Sequence, residues 1–146
     1  MVTLQTSMEF IAALSCALFA GAAVYINAVE HPARMSCGSE AATAEWAPSY
    51  ERATWMQVPL AVVGFVCAVV AWLAGSSIWW LIGGVLLGLV VPFTLVVIMP
   101  TNKRLLSSDL DKRSEETRRL LERWNGLHSV RTALCVVALV LFLANG

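Results

Sequence analysis

The run IWWLIGGVLLGLVVPFTLVVIM, residues 78–99, carries no charged side chain. A helix needs about 20 predominantly apolar residues to cross roughly 30 Å of hydrocarbon, so this run predicts one membrane-spanning helix. Residues 75–77, Gly-Ser-Ser, separate it from a second apolar run at residues 56–74. Because so short a connection cannot cross a membrane, the two predicted helices must form an antiparallel pair.

Two further apolar runs flank this pair, at residues 10–29 and 127–144. The chain is 58% hydrophobic and only 14% charged, with a mean hydropathy of +0.71, whereas soluble domains are about one-quarter charged. Since backbone groups in lipid must be hydrogen-bonded within the protein, these runs favour helices. We therefore predict an all-α integral membrane four-helix bundle that forms a single transmembrane domain, residues 1–146. The predicted helices are about 8–31, 53–74, 78–99 and 127–144, and the long connections are 32–52 and 100–126.

The N-terminal run is expected to be a retained transmembrane helix. The residues before Phe10 include Glu9 and no Lys or Arg, and the apolar run is longer than the roughly 7–15 residues of a signal-peptide core.

Nearly all basic residues lie on one side of the predicted bundle. Four crossings place both long connections on that side, whereas the termini and the short turn contain no Lys or Arg. The positive-inside rule then predicts cytoplasmic connections and external termini, in a plasma (inner) membrane. No basic surface interleaved with aromatic residues is visible, so we expect the lipid bilayer and no nucleic acid as a partner. The basic residues of the connections are Arg34, Arg52, Lys103, Arg104, Lys112, Arg113, Arg118, Arg119 and Arg123.

The connection before the fourth predicted helix carries its own helical signal. Asp109 with Arg113, and Glu115 with Arg119, are acid-before-base pairs four residues apart, a spacing that stabilises helices. We therefore predict an amphipathic cytoplasmic helical extension that enters the membrane near Gly126. Its charges are best interpreted as a solvated face.

Small and aromatic residues indicate how the helices pack. Ala13, Ala17 and Gly21 repeat every four residues, as do Gly84 and Gly88, and small residues allow close approach of helices in lipid. The repeats are equally compatible with a homo-oligomer. Pro92 is expected to kink the third helix. The tryptophans are expected to form two interfacial belts, namely Trp72, Trp79 and Trp80 at the short turn and Trp46, Trp55 and Trp124 on the charged side.

The end of the first predicted helix collects four polar side chains. Asn27, Glu30, His31 and Arg34 are three, four and seven residues apart, so they share one face of a helix. Pro32 disfavours helical geometry at the residue before it, so the helix is expected to end at His31.

The other three helices bring polar residues to the same predicted level. Trp124, His128 and Arg131 share a face of the fourth helix. Gln57 begins the second helix, and Asn102 follows the third. We predict that these residues and the first-helix group form one polar layer, in which Glu30 or His31 lies within contact distance of Asn102, His128 or Arg131.

Three interpretations of this layer remain open. The first is structural, with Glu30 paired to Arg34 or Arg131, since buried charges are usually paired. The second is the border of a pocket for a small molecule. A metal or haem site using His31 and His128, with Glu30 or Glu51, is the least favoured, because two histidines are a weak signal. We expect no metal and no cofactor. The four cysteines form no Cys-x-x-Cys pair, and no disulfide framework is predicted.

As an ordered set, these segments resemble the anthrone oxygenase-like family of small four-helix membrane proteins, most members of which belong to a domain of unknown function. The resemblance covers nearly the whole chain. It is carried by YINAVEHPAR at residues 25–34, YERATWMQ at 50–57, MPTNKRL at 99–105 and RWNGLHSVR at 123–131.

The resemblance implies an oxygenase that converts an anthrone to an anthraquinone with dioxygen, without metal or flavin. The substrate would be a flat, partly apolar phenolic molecule. His31 and His128 are the candidate bases, because a histidine pKa lies near neutrality. Arg131 and Asn102 could stabilise an oxyanion.

Two classes of function follow. The first is a non-catalytic membrane protein that binds a small apolar or quinone-like molecule, a lipid or a partner protein at the cytoplasmic end of the bundle. The alternative is a cofactor-independent oxygenase of polycyclic phenols. The candidate catalytic residues are His31, His128 and Arg131, and the remaining polar-layer residues are Asn27, Glu30, Arg34, Gln57, Asn102 and Trp124.

Overall fold

The computed structural model describes residues 3–146 and consists of four long helices. They are α1 (Leu4–Ser36), α2 (Ser39–Leu73), α3 (Ile78–Leu105) and α4 (Glu115–Ala144). Each is long and apolar enough to cross a membrane, and residues 3–146 contain no strand. The predicted all-α four-helix membrane fold is confirmed, and so is a helical extension before the fourth span, because α4 begins at Glu115.

The helices form a four-cornered bundle in chain order. α1 packs against α2 and α4, and α3 packs against the same two helices from the opposite corner. Contacts across the two diagonals are few. Every helix therefore faces the interior along one stripe, and side chains from all four can meet in the centre.

The helices are longer than the predicted ranges. Residues 32–52, predicted as a connection, are almost entirely helical, because α1 continues to Ser36 and α2 already begins at Ser39. Pro48 and Pro59 lie inside α2 without ending it. Each proline removes only one backbone donor, and packing of the helix against its neighbours outweighs that loss. Of the predicted connection 100–126, only residues 106–114 are not helical.

The prediction that α1 ends at His31 is wrong, because a π-helical turn precedes Pro32. In this turn, Ile26–Glu30, the backbone N–H of His31 donates to the Ile26 carbonyl, five residues earlier. The same arrangement occurs in α3 at Thr94–Ile98, directly before Met99 and Pro100. The wider turn lets the helix continue past a proline, and such turns are frequent at functional sites.

Pro92 has a different effect on α3. The helix is interrupted at Leu89, one turn before this proline. A proline at position 92 cannot donate to the carbonyl of Gly88, so the regular hydrogen-bond ladder is broken at this level, as the sequence predicts.

The segment between α3 and α4 is held by charged contacts that differ from the predicted ones. Asp109 pairs with Arg104 at 3.1 Å and accepts a hydrogen bond from Ser107. The Ser107 hydroxyl and the Arg104 guanidinium hold the pKa of Asp109 below its usual value. Arg113, predicted to pair with Asp109, instead pairs with Glu40 of α2 at 2.7 Å. The predicted pair of Glu115 with Arg119 is present at 3.7 Å.

Two apolar cores lie one above the other along the bundle. The membrane core is built from small residues of α1, α2 and α4 around larger side chains such as Phe19, Trp80, Leu87 and Phe142. The second core, which we call the cap core, lies near the ends of the helices that carry the charges. It comprises Ile26, Ala42, Trp46, Ile98, Leu105, Leu110, Leu121 and Trp124.

Half of the tryptophans do not follow the predicted interfacial belts. Trp55 and Trp79 are exposed, as interfacial residues should be. Trp46, Trp80 and Trp124 are buried, because they fill space between helices. The indole Nε1 of Trp80 donates to the Asn145 carbonyl at 3.1 Å, so even this large residue has its polar atom satisfied inside the protein.

Close packing of α2 and α3 depends on Gly84. A Cβ atom at this position would lie 2.8 Å from the Cβ of Ala68, and neither atom can rotate away. We expect Gly84→Ala to lower the free energy of unfolding by about 1–3 kcal/mol, as overpacked cores do, measured by thermal unfolding in detergent. Gly21 is the matched control, because a Cβ there meets nothing within 4 Å. Equal melting temperatures for Gly84→Ala and Gly21→Ala would contradict this packing.

Candidate functional site

A polar cavity lies between α1, α2 and α4, at the boundary of the two cores. Its volume is about 20 Å³, which is room for about one water molecule. Six of the nine predicted site residues meet around it, namely Glu30, Arg34, Gln57, Trp124, His128 and Arg131. The lining residues are Ile26, Glu30, Arg34, Ser49, Tyr50, Ala53, Thr54, Gln57, Trp124, His128 and Arg131.

An apolar cavity of about 70 Å³ adjoins the polar one. The two cavities share Tyr50, Thr54, Gln57 and Arg131. The remaining wall is contributed mainly by apolar residues of α1, α2 and α3, namely Phe19, Val58, Ala61, Val90, Val91, Thr94, Leu95 and Met99. A molecule that spans both cavities would have its apolar part among these side chains and its polar end at Arg131.

An open groove of about 530 Å³ lies on the other side of the polar cavity, on the surface of α1 and α2. It shares Ile26, Glu30, Ser49 and Ala53 with the polar cavity. The groove and the apolar cavity therefore each adjoin the polar cavity.

Arg131 is a charged side chain in an apolar setting. Its guanidinium donates to Gln57 Oε1 at 2.9 Å and lies over the ring of Phe19, 5.5 Å from its centroid. Within residues 3–146 no carboxylate lies within ion-pair distance of it, and its buried Nε has no hydrogen-bond partner. A buried cation is normally paired, so this arrangement is suited to an anionic group of a ligand.

Arg34 is neutralised inside the protein. Its side chain, 6% exposed, contacts Glu30 one turn earlier and Glu45 of α2 at 2.7 Å. Ser49 of α2 donates to the same oxygen of Glu30 at 2.6 Å. This cluster joins α1 to α2 and separates the polar cavity from the surface groove. For Glu30 and Arg34 the structure therefore shows the ion pair of the structural interpretation.

The two histidines lie in one aromatic stack. The ring of Trp124 lies between them, 6.0 Å from the His31 ring and 4.9 Å from the His128 ring, measured between centroids. Trp46 meets Trp124 edge-on at 5.9 Å. His31 and His128 are therefore close to each other, but they are joined through Trp124 and not by a direct contact.

Asn27 joins α1 to α4. Its side-chain amide makes hydrogen bonds with Asn125, His128, Ser129 and Thr132. His128 is 1% exposed, and its Nδ1 lies 3.0 Å from Asn27 Oδ1. The hydrogen bond from the first helix to His128 is therefore made by Asn27, whereas the sequence predicts Glu30 or His31 in that role.

Asn102, like Asn27 and His31, is a predicted site residue outside the lining of the two cavities. It is completely buried. Neither polar atom of its amide has a hydrogen-bond partner among residues 3–146, and the same is true of His31 Nδ1, Trp46 Nε1 and Gln57 Nε2. Buried polar atoms without partners are rare in folded proteins, and these lie on the helices that surround the cavities.

Several residues at the site are absent from the sequence prediction. The sequence predicts a connection over residues 32–52, which contains Glu45, Ser49 and Tyr50, and therefore predicts no helical face for them. Asn125 and Thr132 lie on the same face of α4 as His128, at a spacing of three and four residues that sequence could have shown. In the part of the chain that is described, no three His, Cys, Asp or Glu side chains converge in a way that could hold a metal ion.

Fold and site together define a small four-helix membrane protein with a partly charged cavity inside its bundle. The family model for anthrone oxygenase matches residues 46–141, which include α3, most of α2 and nearly all of α4. The chain belongs to the anthrone oxygenase family, and the predicted resemblance is confirmed. No curated protein and no solved structure matches it.

The Glu30–Arg34 pair should contribute measurably to stability. In Glu30→Gln the buried Arg34 keeps only the half-exposed carboxylate of Glu45 as a partner. We expect a loss of about 1–3 kcal/mol in unfolding free energy. Thermal unfolding in detergent provides the measurement, and Glu30→Gln combined with Arg34→Met should recover part of the loss.

The control is Glu115→Gln, which removes an exposed pair on α4 and should cost less than about 1 kcal/mol. If Glu30→Gln is no more destabilising than Glu115→Gln, the buried pair does not hold α1 to α2.

Proposed function

We propose that this protein is a membrane-bound oxygenase of flat, partly apolar phenols, and that its substrate occupies the joined polar and apolar cavities. The observation that carries the proposal is Arg131, a cation at the wall that the two cavities share, with no carboxylate of residues 3–146 within ion-pair distance. A planar aromatic body suits the apolar cavity, and a phenolate or enolate oxygen suits the guanidinium. Membership of the anthrone oxygenase family supports the same substrate class.

His128 is the proposed general base. It lines the polar cavity with Arg131, and its Nδ1 is engaged by Asn27, which leaves Nε2 for the substrate. Removal of a proton from the CH₂ group of an anthrone gives a carbanion whose charge is delocalised onto the carbonyl oxygen. Arg131, with Gln57 Nε2 as a second donor, would stabilise that oxygen.

The remaining chemistry belongs to the substrate and dioxygen. The carbanion carbon bonds to O₂, the resulting peroxide is protonated, and loss of water leaves a carbonyl group. In sum, the CH₂ group and one O₂ give C=O and one H₂O, so no other reductant or oxidant is required. The protein supplies proton transfer, charge stabilisation and an apolar site that excludes water.

Substrate binding requires the apolar cavity to widen. Its volume of about 70 Å³ is below the 300–1,000 Å³ of typical ligand sites. Side chains such as Phe19, Tyr50 and Met99 line it, and their rotation would enlarge it. The surface groove of about 530 Å³ is already large enough for such a molecule and borders the polar cavity at the Glu30–Arg34 cluster.

For orientation we propose that the ends of the helices that bear the basic residues are cytoplasmic and that both termini are external, in the plasma (inner) membrane. The distribution of Lys and Arg supports this orientation. The polar cavity would then lie near the cytoplasmic face, within reach of substrates dissolved in the inner leaflet.

Arg131→Met should lower kcat/KM for oxidation of an anthrone under air by about 100- to 1,000-fold, because an oxyanion loses its main stabilising charge. Arg131→Lys should retain part of the rate. Oxygen consumption by the purified protein in lipid nanodiscs, corrected for autoxidation, provides the measurement. His128→Gln should lose a comparable factor through loss of the base.

The control is Arg123→Met, which removes an exposed arginine of the same helix and should leave the rate unchanged. If the wild-type protein gives no rate above autoxidation but its tryptophan fluorescence responds saturably to a quinone, the non-catalytic binding function predicted from sequence is correct. If Arg131→Met is as active as Arg123→Met, the assigned site is wrong.

Orientation can be tested with Cys37, which is exposed between α1 and α2, whereas Cys16 and Cys135 are buried. A membrane-impermeant maleimide should label inside-out vesicles and leave intact spheroplasts unlabelled, as judged by mass spectrometry. Cys37→Ser should abolish the labelling. Labelling of Cys37 in intact spheroplasts would show the opposite orientation.

A further inference from the structure

The side chain of Asn27 has every hydrogen-bonding position occupied. Its Nδ2 donates to Asn125 Oδ1 at 2.7 Å, to Ser129 Oγ at 3.1 Å and, less closely, to the Asn125 carbonyl at 3.3 Å. Its Oδ1 accepts the Thr132 hydroxyl at 2.5 Å and lies 3.0 Å from His128 Nδ1. All four partner residues belong to α4.

These partners fix which end of the amide faces His128. The backbone carbonyl of Asn125 can only accept hydrogen bonds. The Ser129 hydroxyl donates its proton to that same backbone carbonyl at 2.9 Å, so its oxygen is left as an acceptor. Both therefore require the NH₂ group of Asn27. The opposite orientation would place Oδ1 against these acceptors and would lose both bonds. The oxygen of Asn27 must then face His128.

An oxygen acceptor opposite His128 Nδ1 determines the tautomer of the ring. Nδ1 must carry the proton to form the hydrogen bond, so in the neutral imidazole Nε2 has the free lone pair. We infer that Asn27 is a positioning residue that holds His128 in the Nδ1–H tautomer, with Nε2 as its basic nitrogen. The catalytic use of this nitrogen rests on the proposed oxygenase function, whereas the tautomer itself does not.

Asn27 lies within the π-helical turn Ile26–Glu30, where α1 is widened before Pro32. Thr132 supports the pair from α4, because its hydroxyl lies within hydrogen-bonding distance of both Asn27 Oδ1 and the His128 carbonyl. The ring of Trp124 packs against the imidazole and restrains its rotation.

The chain contains only two histidines, which makes the tautomer directly measurable. His31→Gln leaves His128 as the sole histidine, and ¹⁵N-histidine labelling then gives one ring spectrum by solid-state NMR in lipid, in which protonated and unprotonated nitrogens are well separated. We expect a protonated Nδ1 and an unprotonated Nε2. Asn27→Leu in this background should produce a mixture of tautomers or the Nε2–H form.

Asn27→Asp is a second variant that keeps the inference testable if Asn27→Leu fails to fold. It retains an acceptor for His128, so it should keep the proton on Nδ1 even though it loses the donor to Asn125. A spectrum of the His31→Gln protein with Nε2 protonated and Nδ1 bare would overturn the inference. The same would follow if folded Asn27→Leu left the tautomer unchanged.

Oxygen consumption by variants in the wild-type His31 background tests the catalytic part separately. Asn27→Leu should lower kcat about 100-fold with little change in KM, and Asn27→Asp should recover a substantial part of that loss. A KM effect alone would contradict positioning. If the wild-type protein proves inactive while the NMR result holds, the oxygenase proposal fails and the assignment of the tautomer remains.

Discussion

The structure depends on how membrane helices tolerate proline. A proline removes one backbone donor, and in lipid no water replaces it, so the helix must rearrange its own hydrogen bonds. Before Pro32 and Pro100 the rearrangement is a π-helical turn, which inserts one residue into the helix without ending it. The first of these turns contains Asn27 and Glu30, the residues that tie α1 to α4 and to α2. The π-helical turns therefore let α1 and α3 continue beyond the predicted ends of their membrane spans. They also position the polar residues of the two helices.

Charge at the site is distributed unequally between two arginines. Arg34 is enclosed by carboxylates of α1 and α2 and stabilises the protein. Arg131, deeper in the bundle, has an amide and an aromatic ring as its neighbours. Keeping a cation there without a counter-ion is costly, and a protein that maintains such a charge gains most from it when a substrate becomes anionic. The unequal pairing is the physical basis for the proposed catalytic role of Arg131 and for the structural role of Arg34.

The sequence predicts the fold class well because a membrane-spanning helix requires a long apolar run. The lengths of these runs, the short Gly-Ser-Ser turn and the helical extension before the fourth span could all be predicted. Helix ends could not, because Pro32, Pro48 and Pro59 suggest breaks that tertiary packing overrides. Glu45, Ser49 and Tyr50 lie in a predicted connection, so the sequence does not identify them as residues of the site. The polar layer could be anticipated from spacing on single helices. Which of its residues line the cavities depends on the rotation of the helices relative to one another, and a single sequence does not encode that rotation.

The two apolar cores are held by different forces. A helix of 35 residues such as α2 is about 52 Å long at 1.5 Å per residue, whereas the hydrocarbon layer is roughly 30 Å thick. The cap core, surrounded by charged side chains, therefore lies largely in water and is stabilised by the hydrophobic effect, while the membrane core relies on close packing in lipid. The polar cavity lies at the junction of the two cores, so its geometry depends on the correct packing of both the cap core and the membrane core.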